Sequence, residues 1–113
     1  MNRSGARAEA LCAERMRRAG LRIVARNWRC RAGEIDLVAR DGATLVFVEV
    51  RLRRSGKFGG AQASVDAHKQ RRILRAARAY LASRPLQPCR CDVVALDGLD
   101  PRAIEWIRDA FGE

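Results

Sequence analysis

Two carboxylates set in adjacent apolar segments are the residues of this chain best suited to chemistry: Asp36 in Gly33-Glu34-Ile35-Asp36-Leu37-Val38, and Glu49 in Val46-Phe47-Val48-Glu49-Val50-Arg51. Asp41-Gly42 between them is a strong hairpin signal. With those two residues as the loop, Arg40 pairs with Ala43, Asp36 faces Phe47, and Glu34 faces Glu49. Side chains alternate along a strand, so Glu34, Asp36 and Val38 share a face with Leu45, Phe47, Glu49 and Arg51. Asp36 and Glu49 become diagonal neighbours about 7–8 Å apart, a span that one hard cation bridges through carboxylate oxygens. The opposite face, Ile35, Leu37, Ala39, Val46, Val48 and Val50, is core. A three-residue loop would instead send the acids to opposite faces. The competing structural reading is a half-solvated hairpin in which Glu34, Glu49, Arg31 and Arg51 make ion pairs of small energetic weight. Against it, Val38, Leu45 and Phe47 on the acidic face need cover from a helix. Such cover leaves two like charges partly desolvated, which a cation or an arginine must offset.

The rest of the chain is cationic. Its 113 residues carry a net charge of +10, and among 23 basic residues only Lys57 and Lys69 are lysines. A surplus of this size points to a polyanion, and charge alone does not separate DNA from RNA. Lys69, Arg71, Arg72, Arg75 and Arg78 crowd one segment with only Asp66 as an acid nearby, so no partners at i+4 spacing neutralise them. Arg51, Arg53, Arg54 and Lys57 extend the patch into a loop carrying Gly56, Gly59 and Gly60. Cations arranged this way neutralise phosphates without reading bases.

Several function classes fall away. Gly59-Gly60 lacks the spacing of a nucleotide-binding P-loop, and nothing resembles a nucleophile elbow or a Cys-His pair. No motif calls for an organic cofactor. Cys12, Cys30, Cys89 and Cys91 contain no CxxC pair, so they read as reduced thiols of a cytoplasmic protein rather than zinc ligands. The chain shows neither a signal peptide nor an apolar run long enough to span a membrane. His68 reads as a surface residue, and Trp28 and Trp106 as core anchors.

The elements that must position the acids follow from periodicity. Ser4 is placed to cap a helix over about 6–19, with Leu11, Cys12, Met16 and Ala19 on one face and Gly20 ending it. A strand over 21–28 and a basic connector over 29–32 lead into hairpin strands at 34–40 and 43–52. A long amphipathic helix over 66–83 buries Ile73, Leu74, Ala77, Tyr80 and Leu81, and Arg84-Pro85 stops it. A strand follows at 91–96, a turn at Asp97-Gly98, and an element over 103–111 that reads as strand or helix. The whole is one α/β domain over residues 1–113.

These residues resemble the YraN-like family, small bacterial proteins related to restriction-endonuclease-like Holliday junction resolvases. The resemblance rests on Gly33–Ala39 and Val46–Arg51, with Gly5–Glu9, Asn27-Trp28-Arg29, Phe58-Gly59-Gly60, Lys69–Arg72, Asp92-Val93-Val94 and Ala110-Phe111 in the same order. It implies a restriction-endonuclease-like core, a mixed sheet flanked by helices in the order α-β-β-β-α-β with a short final element. It also implies a metal site similar to that of PD-(D/E)xK nucleases, in which Asp36 and Glu49 hold Mg²⁺ (or Mn²⁺) and the Val50 carbonyl is a further ligand. Glu9 and Gln70 match positions that complete or orient such sites. DNA is then the expected partner ahead of RNA, and a homodimer is expected because junction resolvases act as dimers.

Arg51 departs from that pattern by standing where the nuclease motif has lysine. A guanidinium stabilises charge building on a phosphate but does not surrender a proton at usable pH. Lys57 and Lys69 are the candidate replacements. Two readings therefore stand side by side: a Mg²⁺-dependent endonuclease of DNA processing or repair, acting on branched DNA among other forms, and a catalytically inactive nucleic-acid-binding protein that retains the nuclease fold.

Overall fold

A computed structural model describes residues 3–53 and 65–112, with the side chains of the first helix from Gly5 onward. Among the described residues seven elements follow one another: α1 (Arg3–Arg18), β1 (Arg22–Cys30), β2 (Gly33–Asp41), β3 (Thr44–Arg53), α2 (Ala67–Leu81), β4 (Cys89–Asp97) and β5 (Ile104–Phe111). The strands form one mixed sheet in the order β1-β2-β3-β4-β5. Among the described strands only the β3–β4 pair is parallel, joined by a crossover that contains α2. Parallel neighbours need such a crossover, whereas the antiparallel ones are joined by short turns.

The helices cover opposite faces. Cys12, Ala13 and Met16 of α1 pack on Leu37, Ala39, Val46, Val48, Val94 and Leu96, while Ile73, Ala76, Ala77 and Tyr80 of α2 pack on Ile35, Val38, Leu45, Phe47, Val93 and Ala95. Tyr80 meets Trp28 and Phe47 edge-on, with ring centroids 5.2 and 5.6 Å apart. Strand β4 is covered on both sides, so Cys91–Leu96 reads as a nearly unbroken apolar run rather than an alternating one. No helix among the described residues is long and apolar enough to cross a membrane.

Several boundaries move. Helix α1 starts at Arg3, so Ser4 lies within it rather than at its cap. Strand β1 continues to Cys30, leaving only Arg31 and Ala32 as the turn where a connector over 29–32 was expected. Helix α2 is capped by Asp66, whose side chain accepts from the Lys69 N–H at 2.9 Å. It ends at Leu81, ahead of the Arg84-Pro85 stop. The final element is a strand, because β4 has a free edge that β5 pairs. Phe58, the loop with Ser55, Gly56, Gly59 and Gly60, and the cations Arg54 and Lys57 lie outside the described residues.

The hairpin register differs from the expected one by two residues, Arg40 pairing with Leu45 rather than with Ala43. The closing pair is Asp41↔Thr44, and the loop is Gly42-Ala43 rather than Asp41-Gly42. Gly42 has φ 60°, a left-handed value suited to glycine at the first central position of a tight turn. Asp41 is retained in β2 because its carboxylate accepts from the Arg90 guanidinium at 2.8 Å.

Candidate metal centre

The β2–β3 ladder stops at Leu37↔Val48. Continued one step, the same register sets Asp36 opposite Glu49 instead of diagonal to it. Asp36 has left the ladder, and its Oδ2 accepts from the Val50 N–H at 2.8 Å. Its carboxyl also shares a hydrogen bond with that of Glu49. The two acids converge in a cleft of about 280 Å³ whose wall includes Glu34, Val50, Arg51, Lys69 and Arg72.

Burial is the first reason that both carboxyls hold their protons more tightly than usual. Desolvation raises Asp36, an effect the Val50 N–H partly offsets. Desolvation and then the neighbouring Asp36 charge push Glu49 up to about 8. Such a pair titrates as a unit. Arg51 Nη1 lies 3.6 Å from Glu49 Oε2, and Lys69 opposes the rise electrostatically.

The donor set is one that a hard divalent cation uses, namely carboxylate oxygens with a backbone carbonyl within reach in sequence. Mg²⁺ binds through as few as one or two carboxylates, keeping water and substrate phosphate in its remaining positions. Asp36, Glu49 and Val50 fit it on that ground. Among the described residues, no group of three or more His, Cys, Asp or Glu side chains is arranged to hold a metal.

The remaining expected site residues divide by position. Glu9 of α1 senses the Asp36 and Glu34 charges, and burial raises its pKa more than either of them does. Gln70 does not line the cleft; its Nε2 donates to the Val65 carbonyl at 3.0 Å, tying the side chain to the start of its own helix. The cations of α2 do not form one stretch. Lys69 and Arg72 line the cleft, while Arg71, Arg75 and Arg78 surround Leu74 on a different face of the helix. Arg53 is drawn away from any surface patch, with Nε 3.1 Å from Asp97 Oδ1 and Nη2 3.4 Å from Glu105 Oε1. The hairpin face expected to be pure core also loses a member, since Ile35 packs with Val38 on the α2 side while Leu37 packs on the α1 side.

Two residues to which the sequence reading gave no role, Asn27 and Asp92, are tied into the sheet near its two edge strands. Asn27 is one of two non-glycine residues with positive φ among the described residues, and its side chain hydrogen bonds Glu9. The available signal was its type, since Asn tolerates left-handed backbone better than most. Asp92 is fully buried in β4, where it accepts from Arg90, from Trp106 Nε1 at 3.0 Å and from the Asp109 N–H at 2.9 Å. A lone acid in an apolar run was its signal.

The chain is 48% identical over 111 residues to a UPF0102 protein of Methylobacillus flagellatus, covering 98% of both chains. It is 52% identical over 110 residues to a UPF0102 protein of Xanthomonas campestris pv. campestris, covering 95% of this chain and 89% of that one. A UPF0102 protein of Cupriavidus metallidurans is 55% identical over 111 residues, with 96% and 81% covered. Residues 8–96 match the family described as "Uncharacterised protein family UPF0102". By both measures the chain belongs to the bacterial UPF0102 family, the YraN-like proteins.

Proposed function

We propose that this protein is a Mg²⁺-dependent phosphodiester endonuclease acting on nucleic acid, DNA ahead of RNA, on a restriction-endonuclease-like fold. The observation that carries the reading is the convergence of Asp36 and Glu49 in a cleft whose other charged walls include Arg51, Lys69 and Arg72. Acids that are costly to ionise beside one another are relieved by a divalent cation. When bound, Mg²⁺ or Mn²⁺ supplies Lewis-acid stabilisation to a phosphoryl group and makes water more acidic. The chain's own groups supply the rest. Val50 N–H fixes one oxygen of Asp36, Arg51 stands beside Glu49, and Lys69 and Arg72 offer charge to the phosphates of an incoming strand.

A second reading draws on Arg51. Its guanidinium already sits against Glu49, so an arginine alone offsets part of the acidic charge. That favours a protein that binds nucleic acid without cleaving it. The discriminating experiment incubates linear, branched and single-stranded DNA with the protein and Mg²⁺ or Mn²⁺. Cleavage that Asp36→Ala and Glu49→Ala each abolish, with binding retained, is the expected result. Binding without cleavage of any substrate would select the second reading, and neither binding nor cleavage would defeat both.

A further inference from the structure

The geometry points to Asn27 as a positioning residue that tips Asp36 out of its strand and toward β3, an inference that rests on the metal-site reading of this cleft. Strands β1 and β2 keep one register from Ala25↔Val38 to Cys30↔Gly33, yet Asn27 and Asp36 form no pair within it. Partners across an antiparallel ladder share a face. Ala25 and Val38 belong to the α2 side, and so do Trp28 and Ile35. Three residues apart in an unbroken pleat, Trp28 would lie opposite Ala25, and Ile35 opposite Val38. One residue in each strand has therefore left the pleat.

In β1 that residue is Asn27, with φ 51°. In β2 it is Asp36. Side chains of a regular strand stand perpendicular to the sheet, out of line with the backbone N–H groups of the next strand. Tipped into the plane, the Asp36 carboxylate meets the Val50 N–H and replaces a ladder acceptor there. Asn27 suits this kink twice over. Its backbone tolerates the left-handed region, and its side-chain amide donates to Glu9, so that α1 holds the kink from outside the sheet.

The Val50 amide reports on this geometry without any metal. Asn27→Ala forces an ordinary side chain into the left-handed region, a penalty equivalent to about tenfold in an equilibrium. Hydrogen exchange at Val50 should then quicken by about tenfold relative to Val48, whose partner Leu37 lies inside the ladder. Asn27→Gly permits the same backbone and should leave Val50 protected even though the bond to Glu9 is gone. Mn²⁺ affinity, measured by calorimetry, should fall about tenfold in Asn27→Ala and much less in Asn27→Gly. Unchanged Val50 exchange in a folded Asn27→Ala, or lost protection in Asn27→Gly, overturns the assignment of Asn27. Should Asn27→Ala fail to fold, Asn27→Gly alone decides. Exchange that follows expectation while wild-type protein binds no Mn²⁺ overturns the metal reading and leaves the positioning of Asp36 standing.

Discussion

Asp36 and Glu49 form a pair whose cost depends on pH. Glu49 has an ordinary value of 4.5 and is pushed to about 8 in the fold, mainly by burial and then by the Asp36 charge. An acid whose folded pKa lies above its unfolded one binds its proton more tightly when folded, so its protonation favours folding. The associated stability is full below about 4.5 and declines as pH rises toward about 8. In EDTA, the urea midpoint should therefore fall between pH 5 and 8, corresponding to on the order of 1–3 kcal/mol. Glu49→Gln should flatten that fall, and Mg²⁺ should reduce it. Parallel pH curves for wild type and variant would show that the pair is not under the strain its surroundings imply. Arg51 makes a second residue-scale prediction. If its fixed charge is what limits turnover, Arg51→Lys should raise the cleavage rate by about 10²-fold, the scale of one positioned proton-transfer group. A single-turnover assay at pH 8 reads this directly. A lysine variant no faster than wild type would leave the metal as the sole activator.

Among the elements, the two edge strands use the same device for different ends. Asp109 in β5 has φ 51°, as Asn27 has in β1, and each lies beside an acid of the neighbouring strand. The Asp109 kink turns its N–H onto Asp92, which Arg90 and Trp106 also serve, so that acid is fully satisfied and structural. Arg90 in turn reaches Asp41, and this chain of bonds links β5, β4 and the end of β2. Removing Asp92 would leave Arg90 with Asp41 as its acid partner and strip the Trp106 Nε1 and the Asp109 N–H of their acceptor, and breaking a buried pair costs about 3–5 kcal/mol in well-buried cases. Asp92→Ala is expected to lower stability by an amount near the foot of that range, measured by chemical denaturation. It should leave the pH dependence attributed to Glu49 intact. A loss below about 0.5 kcal/mol would mark the network as dispensable.

Across the molecule, α2 sets charge on two of its faces, Lys69 and Arg72 toward the acids and Arg71 and Arg75 away from them. If both faces meet phosphates, the double variant Arg71→Ala/Arg75→Ala should reduce the slope of log affinity against log salt by about 2 on duplex DNA while cleavage at saturation persists. An unchanged slope would confine binding to the cleft. Much of the arrangement is legible in the residues themselves. Hydrophobic period marks both helices and the hairpin, and the pairing error of two residues kept the acids together because face depends on the parity of the register, not its value. Cation surplus and the two acids are equally local properties. Other features came only from tertiary contact: the kink at Asn27 that moved Ile35 to the α2 side, the approach of Glu9 from α1, the capture of Arg53 by Asp97 and Glu105, and the split of one basic helix into two faces. The physical reason is range. Periodicity and turn chemistry are fixed by neighbours a few residues away, whereas desolvation, charge pairing and a carboxylate's direction depend on groups brought together from distant parts of the chain.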